Sequence, residues 1–285
     1  MPDVAILTPD PEDEGYRTRW REVFAQLAEP LERRGMAVEG PSWTDAGDLA
    51  RFDMVLPLKV WGYHRAGHRW QEQVTRWEDA GVNLRNPATV LRWNADKRYL
   101  GRLAERGAPV TPTLYADALS LELLHEAAER FGTDRLIAKP QVSATAYQTI
   151  RWSPGEPLDG GPEGAAMVQP YLPAVEETGE VSLIYLGGTF SHAIRKLPKS
   201  GDFRVQPEYG ADIRAHAPSE DERLAADTVL AQADEQLLYA RVDLVRDLGG
   251  RPVLMELELV EPDLYLGHDA GAADRFGEAV ARALG

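Results

Sequence analysis

Residues 238–260 read LYARVDLVRDLGGRPVLMELELV. Two apolar runs, Leu238–Asp247 and Arg251–Val260, flank Leu248–Gly250, whose paired glycines give the backbone freedom of a tight turn. An antiparallel hairpin is therefore predicted. The two-residue period of a strand puts Arg241 and Asp243 on one face, and Glu256 and Glu258 together on one face of the second run. Closing the hairpin brings three carboxylates together, a cluster that repels itself unless cations neutralise it. Mg²⁺ prefers oxygen ligands and commonly combines one or two carboxylates with phosphate oxygens. Asp243, Glu256 and Glu258 are thus candidate metal ligands; a solvated acidic face is the alternative.

Two upstream segments supply what such a cup would need beside it. Arg135–Pro140 (RLIAKP) is an apolar strand ending in Lys139, and an ammonium at the end of a buried strand is costly unless it finds an anion. A surface lysine at a strand exit is the bland alternative. Met167–Pro173 (MVQPYLP) passes from strand into a proline-bounded link, leaving the Leu172 N–H and nearby carbonyls free to meet a planar base. Gln141–Thr149 (QVSATAYQT), rich in small and hydroxyl residues, could close over phosphates through backbone amides such as that of Ser143. Glu180 could accept from ribose hydroxyls. Together these are the minimum equipment for handling a nucleoside triphosphate without a P-loop, and no G-x-x-x-x-G-K-[ST] occurs.

Composition narrows the class. A chain of 285 residues, 44% hydrophobic and 27% charged, has room for one large or two medium domains. No apolar run approaches the roughly 20 residues of a membrane span, and MPDVAILTPD does not read as a secretory signal. The absence of cysteine excludes disulfides and thiolate metal sites, and fits a cytoplasmic enzyme. A net charge of -15 argues against nucleic-acid or anionic-membrane surfaces; small-molecule partners are expected, with a homo-oligomer left open. The five lysines (Lys59, Lys97, Lys139, Lys196 and Lys199) stand out against many arginines, because lysine acts on phosphate as a compact point charge. His64 and His68 have zinc-helix spacing but no third ligand nearby, and no G-x-S-x-G elbow is present.

Outward from these motifs, Val4–Thr8 and Asp53–Leu58 read as buried parallel strands, with helices at Arg19–Arg34 (kinked or divided by Pro30) and Arg69–Ala80. A helix is expected over Asn94–Arg106, carrying Lys97, and others at Leu119–Phe131, Pro218–Leu237 and Asp269–Leu284. A second hairpin, Glu180–Leu186 with Thr189–Leu197, turns at Gly187–Gly188. The fold class is α/β followed by α+β, with a boundary near Asn94.

These segments, in this order from about Asn86 to Pro262, resemble the ATP-grasp superfamily of carboxylate–amine ligases, glutathione synthetase and D-alanine–D-alanine ligase in particular. The resemblance implies a Rossmann-like pre-ATP-grasp layer (1–93) and an ATP-grasp domain (94–285), with a lid subdomain at 108–172 and a catalytic subdomain at 173–285. It implies ATP and Mg²⁺ as cofactors and an acyl-phosphate route to a C–N bond. Lys97 and Lys139 fall where that family clamps phosphates. Gln169, Pro170, Tyr171 and Leu172 fall at its adenine hinge, Glu180 at its ribose acid, and Ser143 and Met255 elsewhere along its nucleotide site. Lys196 and Arg204 lie in KLPKSGDFR, which is similar to the segment meeting the γ-phosphate and acyl group, and Arg241 matches the arginine facing the transferring phosphoryl. Glu258 stands where the family has asparagine, and the flap lacks the usual glycines. LRWNADKRYL, KPQVSATAYQT and MELELVEPDLYL further resemble the subgroup containing cycloserine synthetase, the cyclo-ligase acting on O-ureido-D-serine, which implies an antibiotic-biosynthesis role. A kinase on the same fold, or a non-catalytic nucleotide-binding regulator, is the alternative. Substrate selection is expected from Trp61–His68.

Overall fold

The computed structural model describes residues 1–13, 15, 19–206 and 209–285. Its first layer is a parallel sheet of β1 (Asp3–Ile6), β2 (Ala37–Glu39) and β3 (Met54–Leu56), ordered β2-β1-β3. Both faces of this sheet are covered, so its strands read as unbroken apolar runs. Val4 and Ile6 meet Leu27 and Leu31 of α1 (Arg19–Glu32), while Ala5 and Leu7 meet Trp70 and Val74 of α2 (Gly67–Asp79). Pro30 does not divide α1. It lies in the last turn, where little helix remains to be disrupted.

The helix expected over Asn94–Arg106 is shorter, α4 (Tyr99–Glu105); a separate α3 (Ala88–Asn94) ends where it was to begin, and Lys97 lies on the link between them. Competing hydrogen bonds explain the break. The Lys97 N–H donates to Gln141 O at 2.9 Å, and the Asn94 side chain bonds Leu257 O and Leu259 N, both at 2.8 Å.

A small antiparallel sheet follows, ordered β4-β7-β5-β6, from β4 (Leu114–Ala116), β5 (Leu136–Pro140), β6 (Ile150–Trp152) and β7 (Ala166–Pro170). Its core is Leu136, Ala138 and Val168 against Leu124 and Ala127 of α5 (Leu121–Phe131). The Ser120 side chain accepts from Leu123 N at 3.1 Å, which starts α5 two residues later than expected.

The largest sheet is antiparallel, ordered β10-β9-β8-β11-β12, from β8 (Glu180–Leu186), β9 (Thr189–Leu197), β10 (Asp212–His216), β11 (Tyr239–Arg246) and β12 (Pro252–Glu258). A short helix, α6 (Ala174–Glu177), precedes it. One face packs on α7 (Glu220–Leu230) and α4; the other meets α8 (Ala272–Leu284), which joins α1 and the first layer in one core. Helix α7 stops seven residues before the expected Leu237, where Arg106 donates to Gln232 O and to Asp234 (2.8 and 3.0 Å) and draws the chain into a turn. Among the described residues no helix is long and apolar enough to cross a membrane.

Candidate active site

The edge of the four-stranded sheet, the face of the five-stranded sheet and the loops after β3 enclose one cleft of about 360 Å³. All fifteen candidate residues line it: Lys97, Lys139, Ser143, Gln169, Pro170, Tyr171, Leu172, Glu180, Lys196, Arg204, Arg241, Asp243, Met255, Glu256 and Glu258. Those on strands come from two sheets, the four-stranded one (β5 and β7) and the five-stranded one (β8, β9, β11 and β12), and the others lie on connecting segments.

Lys139 projects from β5 without an ion pair or hydrogen bond among the described residues. Burial lowers its pKa to about 8. A buried ammonium of this kind is costly unless an anion meets it. Lys97 is buried beside it, 3.1 Å from Glu256 and also donating to the Ser143 carbonyl. Gln169 is buried as well; its amide donates to Thr113 Oγ1 at 2.9 Å, while Oε1 is shut from solvent with no donor among the described residues. Tyr171 N donates to Arg135 O at 2.9 Å, which fixes the link, and the Leu172 N–H makes no hydrogen bond among the described residues. Met255 Sδ accepts from Thr111 Oγ1 at 3.2 Å.

The hairpin register sets Asp243 opposite Glu256 and Arg241 opposite Glu258. The three acids share a sheet face, yet among the described residues no group of three metal-ligating side chains gathers closely enough to hold an ion. Cations lie between them instead. Asp243 accepts from Ser182 Oγ at 2.6 Å, from Arg241 at 3.0 Å and from Lys196 at 3.3 Å; Arg241 also bonds Glu258. Burial opposes ionisation of Asp243, but Arg241 and Lys196 hold its carboxyl below the usual range. Burial pushes Glu258 up to about 7 despite Arg241. Glu180, expected at a ribose, pairs with Lys196 at 2.6 Å. Arg204 lines the cleft with its guanidinium held by Asp202 at 2.7 Å and stacked 3.7 Å from the Tyr209 ring centroid.

The donor chemistry fits a nucleotide with Mg²⁺: hard carboxylate oxygens, one unpaired ammonium, and a buried amide oxygen awaiting a donor. The segment 141–149, between β5 and β6, contributes Ser143, Ala144, Thr145, Ala146 and Thr149 to the lining. Thr145, Ala146 and Gln148 adopt left-handed φ of 54°, 54° and 50° without glycine's freedom. Tyr209 Oη donates to Thr145 O at 3.3 Å, and the Tyr147 ring lies 6.2 Å from His64 of the first layer. Burial, with Arg65 and Lys97 nearby, lowers His64 to about 4, so that ring is neutral. His68 is exposed and faces Glu72 at 3.6 Å.

Sequence reasoning missed several wall residues. Of Trp61–His68, Trp61 and Tyr63 line the cleft, and Glu261, Asp263 and Tyr265 do so just beyond β12. Those three lie inside MELELVEPDLYL but break the strand alternation that exposed Glu256 and Glu258. Ser182 carried no sequence signal at all.

Residues 4–86 match the family model described as the N-terminal domain of D-cycloserine synthetase DcsG. The cycloserine biosynthesis protein DcsG of Streptomyces lavendulae is 32% identical, the match covering 90% of this chain and 92% of that protein. The crystal structure of D-cycloserine synthetase DcsG superposes with a TM-score of 0.84 at 27% identity, over 99% of this chain and 100% of that one. D-alanine–D-alanine ligase from Bacillus anthracis, complexed with ATP, gives a TM-score of 0.72 at 13% identity over 100% and 97%. The ATP-grasp ligase PsnB, complexed with minimal precursor, Mg and ADP, gives 0.64 at 16% over 99% and 97%, a likeness of fold.

Proposed function

We propose a reaction for this chain from the premise that it belongs to the DcsG family of ATP-grasp carboxylate–amine ligases. The chain activates a small carboxylate with ATP and closes a ring through a nitrogen on the same molecule, as the relationship to cycloserine synthetase suggests; O-ureido-D-serine is the first substrate to try. In this reading residues 1–93 form the pre-ATP-grasp layer and 94–285 the ATP-grasp domain.

Lys139 and Lys97 bind the phosphates, with the flap amides around Ser143 closing above them. Gln169 Oε1 accepts from the adenine amino group and the Leu172 N–H donates to a ring nitrogen, between the apolar walls of Tyr171 and Met255. Asp243, Glu256 and Glu258 are the residues that would hold Mg²⁺, with Lys97, Lys196 and Arg241 neutralising them in its absence. Bound there, Mg²⁺ would screen charge on the phosphate oxygens. A carboxylate oxygen attacks the γ-phosphorus and ADP leaves; the nitrogen then attacks the acyl carbon and phosphate departs. Arg241, oriented by Asp243, faces the charge that develops on the transferring group, and Lys196 holds Asp243 in place. Arg204 takes the acyl phosphate once it exchanges Asp202 for that anion.

The observation that carries this reading is the half-buried Lys139, without an ion pair among the described residues, sharing one cleft with the carboxylates of β11 and β12. Purified protein supplied with MgATP and O-ureido-D-serine should release ADP and phosphate only when the carboxylate is present. AMP with pyrophosphate would exclude the acyl-phosphate route, and a stable phosphorylated product would identify a kinase.

A further inference from the structure

The phosphate contacts of the ligase reading need two ammonium groups at a set separation, yet Lys139 stands on β5 and Lys97 on the link between α3 and α4. A lysine side chain is a point charge on a flexible four-carbon stem, so the place of its ammonium depends on how firmly its main chain is held. Outside a helix, the N–H and C=O of Lys97 must find partners elsewhere. Both find them on the four-stranded sheet and the turn that leaves it. The N–H donates to Gln141 O at 2.9 Å, and the carbonyl accepts from Tyr115 Oη of β4 at 3.2 Å. Tyr115 Oη in turn accepts from Gly101 N at 3.2 Å, which ties α4 to the same hydroxyl.

Gln141 is the node of this arrangement. It is 5% exposed, and its amide nitrogen donates to Ala116 O at 3.1 Å and to Ala166 O at 3.0 Å, the carbonyls of register partners on β4 and β7. Its own N–H donates to Ala165 O at 3.0 Å. Side chain and main chain together lock the end of β5 to β7 and to β4 beyond it. Gln141 lies midway between Lys139 and Ser143, whose carbonyl receives the Lys97 ammonium. A glutamine that only closed the end of a sheet would leave its own carbonyl to solvent. This one spends it on Lys97.

We propose that Gln141 is a positioning residue that fixes Lys97 relative to Lys139, with Tyr115 bracing Lys97 through its carbonyl. The inference rests on the ligase reading, in which both ammonium groups meet the phosphates. Through Gln141 the two charges belong to the four-stranded sheet as one unit, whereas Glu256, 3.1 Å from the Lys97 ammonium, belongs to the five-stranded sheet.

The test uses the full chain. In calorimetric titration with Mg²⁺ and a non-hydrolysable ATP analogue, Gln141→Met should bind roughly 10-fold more weakly than wild type, and Tyr115→Phe roughly threefold, as one or two ordinary hydrogen bonds are lost. In steady-state assays with O-ureido-D-serine the KM for ATP should rise by the same factors, while the KM for the carboxylate stays within about threefold. General loosening of the cleft would raise both. Amide hydrogen exchange needs no nucleotide: the Lys97 N–H should exchange roughly 10-fold faster in Gln141→Met, with the β5–β7 ladder unchanged. Should Gln141→Met not fold, Tyr115→Phe decides by the same three measures. Analogue affinity equal to wild type, both KM values rising together, or a Lys97 amide as protected as before would overturn the assignment. A wild type that binds no nucleotide, with a Lys97 amide that still quickens in Gln141→Met, would instead remove the ligase reading and leave the hold of Gln141 on Lys97 standing.

Discussion

At the scale of single residues, Lys139 makes the sharpest claim. Its ammonium makes no ion pair or hydrogen bond among the described residues, and burial lowers its pKa to about 8 from an ordinary 10.5. Two consequences run in opposite directions with pH. Phosphate binding needs the charged form, so ATP affinity should be full below about pH 8 and decline above it. Folding stability behaves otherwise: between about 8 and 10.5 the unfolded chain binds the proton and the folded chain does not, so the contribution of this group to stability rises with pH. An ATP KM that climbs above pH 8 while the melting temperature holds would match both signs; a flat KM would remove Lys139 from the phosphates. Lys139→Ala should lower kcat/KM by roughly 10²-fold or more with the fold intact. Glu256→Gln, which keeps the shape and removes a charge from the acidic face, should do likewise, and ordinary turnover in either variant would displace the site from this cleft.

At the scale of elements, β12 is an edge strand carrying two candidate ligands, and its open edge is covered in a specific way. Leu254 N donates to Pro109 O at 2.7 Å and Thr111 N to Leu254 O at 3.0 Å. Tyr99 Oη accepts from Leu257 N at 2.8 Å, and the Asn94 amide spans Leu257 and Leu259. Removing Asn94 leaves one buried C=O and one buried N–H without partners. Asn94→Ala should therefore cost about 2–4 kcal/mol in urea unfolding, with a raised ATP KM as Glu256 and Glu258 loosen. A loss below about 1 kcal/mol would mean that water repairs the edge. This same contact explains what could and could not be seen beforehand. The β11–β12 hairpin was legible because alternation and a Gly-Gly turn are local signals. The split between α3 and α4 was not, because Asn94 finds its partners 163 and 165 residues away. β6 and β10 escaped notice for another reason: β6 is only three residues long and β10 is largely solvent-facing, so little apolar pattern marks either. Glu261, Asp263 and Tyr265 lie where strand periodicity has ended, so counting by twos cannot find them.

At the scale of the whole molecule, electrostatics sets the terms on which a polyanion can enter. The chain carries a net charge of -15, and the described cleft walls hold six carboxylates against five cations. ATP alone therefore approaches a negative body and a cleft whose cations, Lys139 excepted, lie against acids or, for Lys97, partly on a carbonyl. In the proposed reading a divalent ion would change this balance twice, by neutralising the β11–β12 acids and by freeing Lys97, Lys196 and Arg241 to face phosphate. The expected result is binding that depends on the metal and not only turnover that does. A non-hydrolysable ATP analogue, titrated against the full chain by calorimetry, should bind roughly 100-fold more weakly in EDTA than with excess Mg²⁺. The same titration on Glu256→Gln should narrow that gap, because one source of repulsion has been removed. Equal affinity with and without the metal would mean that the acids of β11 and β12 never needed a cation from outside, and that their pairing with Arg241, Lys196 and Lys97 is the finished structure and not a waiting state.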